Sequence, residues 1–86
     1  MQDIRIVILQ RGWVFVGTYT QKGMTCKLNN AQCIRRWGTT KGLGELAKNG
    51  PTSATQLESH GIVEFHRLTS IATIHCEATK WESILQ

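Results

Sequence analysis

The sequence holds a single proline, Pro51, and no low-complexity tract. With hydrophobic residues at 41%, that scarcity argues for a folded chain and against a disordered one. Long apolar runs are missing too. None approaches the roughly 18 residues that a membrane-spanning helix needs, so no membrane association is expected. No signal-like stretch precedes the first strand-like run, at about residue 3, which points to a cytoplasmic protein. Cysteine is scarce and odd in number: Cys26, Cys33 and Cys76, with no C-x-x-C. That pattern fits neither a disulfide framework nor a zinc site. Cys26 and Cys76 fall in strand-like runs, where a thiol packs as a small apolar group. His60, His66 and His75 lack metal-ligand spacing. Glu64, Glu77 and Glu82 form no evident carboxylate pair. Cys76 or Cys33 could meet a histidine in space, but nothing selects such a pair. A non-enzyme without metal or cofactor is therefore expected.

Acidic residues are nearly absent from the first half. Residues 1–50 carry eight Lys and Arg against Asp3 and Glu45, whereas residues 51–86 carry Arg67 and Lys80 against four glutamates. A fold that keeps these halves apart has one basic face able to attract phosphate. The 86 residues make one domain. A domain this small buries only roughly 60 to 65% of its unfolded surface, so self-association into a homo-oligomer is expected.

What is present is mostly β pattern. Ile4 to Leu9 reads as a strand apolar on both faces, followed by a turn at Gln10-Arg11-Gly12. Trp13 to Thr20 reads as a second strand. Trp13, Phe15 and Tyr19 share one face, a stripe best read as core packing, and Gly17 marks a bend or bulge. After the turn Gln21-Lys22-Gly23, Met24, Cys26 and Leu28 alternate inward. Asn29-Asn30 interrupts with turn chemistry, and Ala31 to Trp37 resumes as strand with neither face wholly apolar. Ile62 to His66 and Ile71 to Cys76 read as the last strands, joined by a turn at Arg67 to Ser70. Residues 77–86 suggest a short C-terminal helix with Trp81, Ile84 and Leu85 at helical spacing. Ten residues are too few for an isolated helix, so the tail docks on the domain or on a neighbour.

Between Arg35 and Pro51 lies the one long excursion, with four basic residues, one acid, a Trp and four of the eight glycines. Thr39 or Thr40 is placed to cap a short helix reaching about Lys48, with Leu43, Leu46 and Ala47 on its apolar face. Gly42 and Gly44 each weaken that helix by roughly 1 kcal/mol, and Asn49-Gly50-Pro51 stops it. Thr52 to Gly61 reads as loop anchored by Leu57. Six strand-like runs, tight turns and no β-α-β alternation predict a mostly β fold: a small, strongly bent β-barrel or roll with one short helix inserted mid-chain.

Two resemblances bear on that expectation. Phe15 to Tyr19 followed by Gly23 to Ala31 resembles the first motif of the Sm-like, SH3-type small barrels, and Phe65 to Ile71 resembles their second. That resemblance implies a ring-forming barrel that commonly binds RNA. It implies base contact for Asn29 and Asn30, and a pore-lining place for His66 and Arg67. Residues 35–61 would be an insertion into it. The run from Arg35 to Ala47 also resembles a stretch found in small phage and prophage proteins, which implies an accessory or host-interaction role.

The chemistry of the excursion is explicit. Arg35, Arg36 and Lys41 bracket Trp37 and the hydroxyls of Thr39 and Thr40. Guanidinium, ammonium and hydroxyl groups bind phosphate, and an indole stacks on a base. The order Gly38-Thr39-Thr40-Lys41-Gly42 is not a P-loop. The expected ligand set is Arg35, Arg36, Trp37, Thr39, Thr40 and Lys41, joined by Asn29, Asn30 and Arg67 through the resemblance. The expected ligand is RNA, DNA or a nucleotide. The alternatives are a module that binds and modulates a host protein, through Trp37, Leu43 and Trp81, and an assembly component of a phage particle.

Overall fold

The structure is a computed structural model and describes residues 3–85. Its elements in chain order are β1 (Ile4–Leu9), a 3₁₀ turn (Gln10–Gly12), β2 (Val14–Lys22), β3 (Thr25–Arg36), α1 (Leu43–Asn49), β4 (Gln56–His66), a second 3₁₀ turn (Arg67–Thr69), β5 (Ser70–His75) and α2 (Ala78–Trp81). The strands form one five-stranded sheet in the order β4-β3-β2-β1-β5. All neighbouring strands are antiparallel.

The expected barrel is not formed. β4 and β5 are both edges, with no register joining them, so the sheet is open. The mostly β class, the mid-chain helix and the C-terminal helix do stand. The expectation rested on six strand-like runs, tight turns and no β-α-β alternation, a pattern that yields an antiparallel sheet whether or not its two edges meet. Here helices cover one face. Ile4, Ile6, Val14, Val16 and Ile34 pack under Leu43, Leu46 and Ala47 of α1 and under Trp81 and Leu85. The opposite face gathers Val7, Phe15, Tyr19, Cys26, Leu28, Ala31 and Cys33, with Val63 and Phe65 against them.

Six strand-like runs become five strands because Asn29-Asn30 does not end a strand. β3 runs unbroken for twelve residues. Asn30 takes φ 53°, and the pairing of β3 with β2 and with β4 slips there. The bulge changes the inside-outside phase, which is how Cys26 and Leu28 reach the same face as Ala31 and Cys33. Gly17 lies opposite. A Cβ there would stand 3.0 Å from Leu28 Cβ and 3.1 Å from the Asn29 carbonyl, so β2 and β3 approach too closely for a side chain. Met24, expected inside, precedes β3 and is exposed.

The tail docks on its own sheet. Trp81 is fully buried, and its Nε1 donates to the Ala47 carbonyl at 3.2 Å. The Glu77 N–H donates to the same carbonyl at 3.0 Å, so one end of α1 receives two donors from the tail. α2 is only one turn long, and Gln86, included in the expected helix, lies outside the described residues. β4 begins at Gln56, earlier than expected, so half of the presumed loop is strand, with Leu57 packed against the core as anticipated.

Candidate functional site

The candidate site lies at the C-terminal end of β3. Phe15 on β2 faces Cys33 on β3. Two residues beyond that pair come Trp13, just before β2, and Arg35, near the end of β3. The turn before Trp13 adds Arg11. Arg11, Gly12, Trp13, Val14, Cys33, Ile34 and Arg35 line an open hollow of about 320 Å³.

Each part of this hollow is held by local structure. Arg11 and Gly12 adopt left-handed φ values of 69° and 81° in succession, which lets β1 reverse into β2 within a short turn. The Leu9 N–H donates to the Trp13 carbonyl at 2.8 Å and closes that turn. An arginine in the left-handed region carries strain of about 1 kcal/mol that glycine or asparagine would lessen. Trp13 is 48% exposed, yet its indole lies flat on Phe15, with centroids 6.0 Å apart and planes at 8°. Phe15 is buried and in turn meets the edge of His60 at 5.5 Å. One face of the indole is thus braced by the core. The nearest carboxylate by register is Glu58, opposite Cys33, and it is engaged by His60 Nε2 at 3.0 Å. Among the described residues, neither Arg11 nor Arg35 has an acidic partner within 4 Å.

The excursion that follows β3 is tied at its root. Thr55 Oγ1 donates to the Trp37 carbonyl and Thr52 Oγ1 to the Gly38 carbonyl, both at 2.7 Å. Gly38 has φ 68°, and a Cβ there would stand 2.5 Å from the backbone of Ala54 and Thr55. The two strands of chain therefore touch backbone to backbone where β3 leaves the sheet. Trp37 is 45% exposed and lies over the Gly42 turn, where a Cβ would meet its ring at 3.8 Å. Arg36 and Lys41 are exposed and, among the described residues, without acidic partners.

Neither Thr39 nor Thr40 caps α1. Gly42 is the N-cap, with φ 86° and no side-chain capping bond. Thr39 Oγ1 donates to the Gly42 carbonyl at 2.8 Å, and Thr40 Oγ1 donates to Glu45 Oε1 at 3.2 Å. Both hydroxyls are thus engaged inside the protein.

The nine expected ligand residues do not meet in one place. Arg35 lines the hollow with Arg11 and Trp13, while Arg36, Trp37 and Lys41 follow it in the chain and are exposed. Asn29 and Asn30 sit mid-way along β3, at the bulge. Arg67 lies at the other end of β3, where its N–H donates to the Met24 carbonyl at 2.8 Å. There it lines a separate polar hollow with Arg5 and Tyr19. Arg11 and Trp13 were missed as site residues because the signal is tertiary: only the β2–β3 register sets residue 13 beside residue 35.

No group of three His, Cys, Asp or Glu able to hold a metal ion occurs among the described residues. No helix among them is long and apolar enough to cross a membrane. Cys26 and Cys33 are buried and Cys76 half-buried, all as free thiols, and burial pushes the Cys76 thiol up to about 12.

No curated protein matches the chain. The two resemblances drawn from short motifs are not supported. The open sheet removes the Sm-like barrel, and the family that does match is described neither as Sm-like nor as a phage protein. The chain belongs to the family described as a domain of unknown function, DUF6948, whose model matches residues 2–84.

Proposed function

We propose that this domain is a non-enzymatic binding module for single-stranded nucleic acid, acting through the basic end of β3. The observation that carries this is the half-exposed Trp13 ring, braced on Phe15 and sharing one open hollow with Arg11 and Arg35. A base stacked on the free face of such a ring contributes about 1–3 kcal/mol, without demanding a particular sequence. The guanidiniums take the flanking phosphates through charge-assisted hydrogen bonds. Arg36, Trp37 and Lys41 extend the same chemistry toward the next nucleotides, and the Thr52 and Thr55 bonds hold that extension in place. Fluorescence anisotropy with labelled single-stranded RNA and DNA tests the proposal, with mononucleotides and cyclic dinucleotides as further arms. Saturable binding at low salt that quenches tryptophan emission supports it, and no binding to any of these overturns it. The free thiols favour a reducing compartment, and the cytoplasm is the proposed location.

Self-association forms part of this reading. Ile62, Leu68 and Ile71 are 62%, 73% and 66% exposed, on β4, on the following turn and on β5. These are the two edges of the open sheet and the link between them, and edge strands with apolar side chains invite pairing with another chain. The same residues favour a second reading, a protein-interaction module. Light scattering separates a self-associating domain from a monomer. Capture of a partner from lysate that survives nuclease treatment favours the second reading over the first.

A further inference from the structure

We propose that the hollow shared by β1, β2 and β5 is a binding site for a phosphate monoester, built on the guanidiniums of Arg5 and Arg67. It measures about 240 Å³ and is lined by Arg5, Tyr19, Gln21, Arg67, Ser70 and Thr73. No carboxylate lines it.

Arg5 is fixed before any ligand arrives. Its Nε and Nη2 donate to the two Asp3 carboxylate oxygens at 3.0 and 2.9 Å. Its guanidinium also lies 4.0 Å from the centroid of the Tyr19 ring. This fork leaves Nη1 unspent, and little side-chain freedom remains to be lost on binding. Arg67 is fixed at its backbone. Its N–H donates to Met24, and the turn that carries it is capped by His66, whose Nδ1 accepts from the Leu68 N–H at 3.1 Å. The Arg67 side chain has no acidic partner among the described residues. Burial raises the Tyr19 phenol, and the charges of both Arg5 and Arg67 pull against that rise. Two arginines from distant parts of the chain thus line one hollow beside Tyr19.

The lining selects among anions. The Tyr19 hydroxyl and the Gln21 amide are bonded within the protein, to Gln21 and Cys26 and to the Gly23 carbonyl. The donors left over are guanidinium N–H groups and the hydroxyls of Ser70 and Thr73, a set suited to a compact oxyanion with several acceptor oxygens. No ring face is open to a base, because Tyr19 is buried under Arg5. The site therefore recognises a phosphate and not a nucleobase attached to it. It is independent of the proposed nucleic-acid surface, since Arg67 and Arg35 lie at opposite ends of β3.

The test is a titration of the isotopically labelled protein with inorganic phosphate at constant ionic strength, followed by amide and arginine Nε–H signals. Saturable shifts at Arg5, Arg67, Ser70 and Thr73 are expected. Arg67→Gln, which keeps the backbone bond to Met24, should weaken them by about tenfold or more. Arg35→Gln should leave them unchanged. Oligonucleotides with and without a 5′ phosphate form a second arm. Shifts only with the phosphorylated strand show that a terminal phosphate is accepted. Shifts from inorganic phosphate alone place a small phosphate compound there. Absence of saturable shifts, equal shifts in Arg67→Gln, or equal response to the unphosphorylated strand overturns the proposal.

Discussion

The indole of Trp13 and the ring of Phe15 lie parallel, 6.0 Å between centroids, one half-exposed and the other buried. That pair divides two roles along one strand. Phe15→Ala removes a core side chain and should cost about 3–5 kcal/mol of stability. Trp13→Ala should cost much less stability but weaken single-strand binding by about 1–3 kcal/mol, the worth of one stacked base. Urea unfolding and anisotropy titrations on both variants measure the two effects separately.

Arg11 offers a sharper separation, because its side chain and its backbone pull in opposite directions. At φ 69°, Arg11→Gly should relieve strain and stabilise the fold by up to about 1 kcal/mol. The same change removes one phosphate-binding group, so binding should fall and its salt dependence become shallower. A variant that is more stable and binds less is the expected outcome, measured by thermal unfolding alongside salt-dependent anisotropy.

Gly38 anchors the excursion. An added Cβ would strike the backbone of Ala54 and Thr55 at 2.5 Å, and φ is 68°. Gly38→Ala should destabilise the domain by on the order of 2–4 kcal/mol. Thr52→Ala, which loses the bond to the Gly38 carbonyl, should cost about 1 kcal/mol. Chemical denaturation checks both values.

Much of this architecture was legible in the residues, and the part that was not has identifiable causes. The two-faced pattern of β1 and β2 located the strands, and Gly17 correctly signalled a bulge. Six strand-like runs with tight turns and no β-α-β alternation suggested a barrel, because a sequence shows the strands without showing whether the edges of their sheet meet. Asn29-Asn30 read as a break, since asparagine in the left-handed region serves a turn and a bulge equally well. Thr39 and Thr40 read as caps because threonine before an apolar run often is one, but their hydroxyls bond to Gly42 and Glu45 instead. The grouping of Arg11, Trp13 and Arg35 rests on strand register, and the meeting of Arg5 with Arg67 rests on the topology of the whole sheet. Neither is encoded in local spacing.

Alkaline pH should destabilise the fold through the half-buried Cys76 thiol. Burial raises Cys76 from 9.0 to about 12 in the folded protein, with a backbone hydrogen bond near Ile6 opposing the rise. The folded state therefore holds a proton that the unfolded state releases first. This contribution is fully present below about pH 9 and is lost as pH rises toward 12. Cys76→Ala should lose less stability than the parent across that window, as measured by urea unfolding at a series of pH values.

Trp13, Arg11 and Arg35 are proposed to hold a single strand. The salt dependence of single-strand affinity, compared between the parent and an Arg11→Gln/Arg35→Gln double variant, tests it most directly. Log affinity of the parent should fall linearly with log salt, and each lost guanidinium should reduce the slope by roughly 0.7. Binding that is absent at low salt, or whose slope is the same in the double variant, would contradict it.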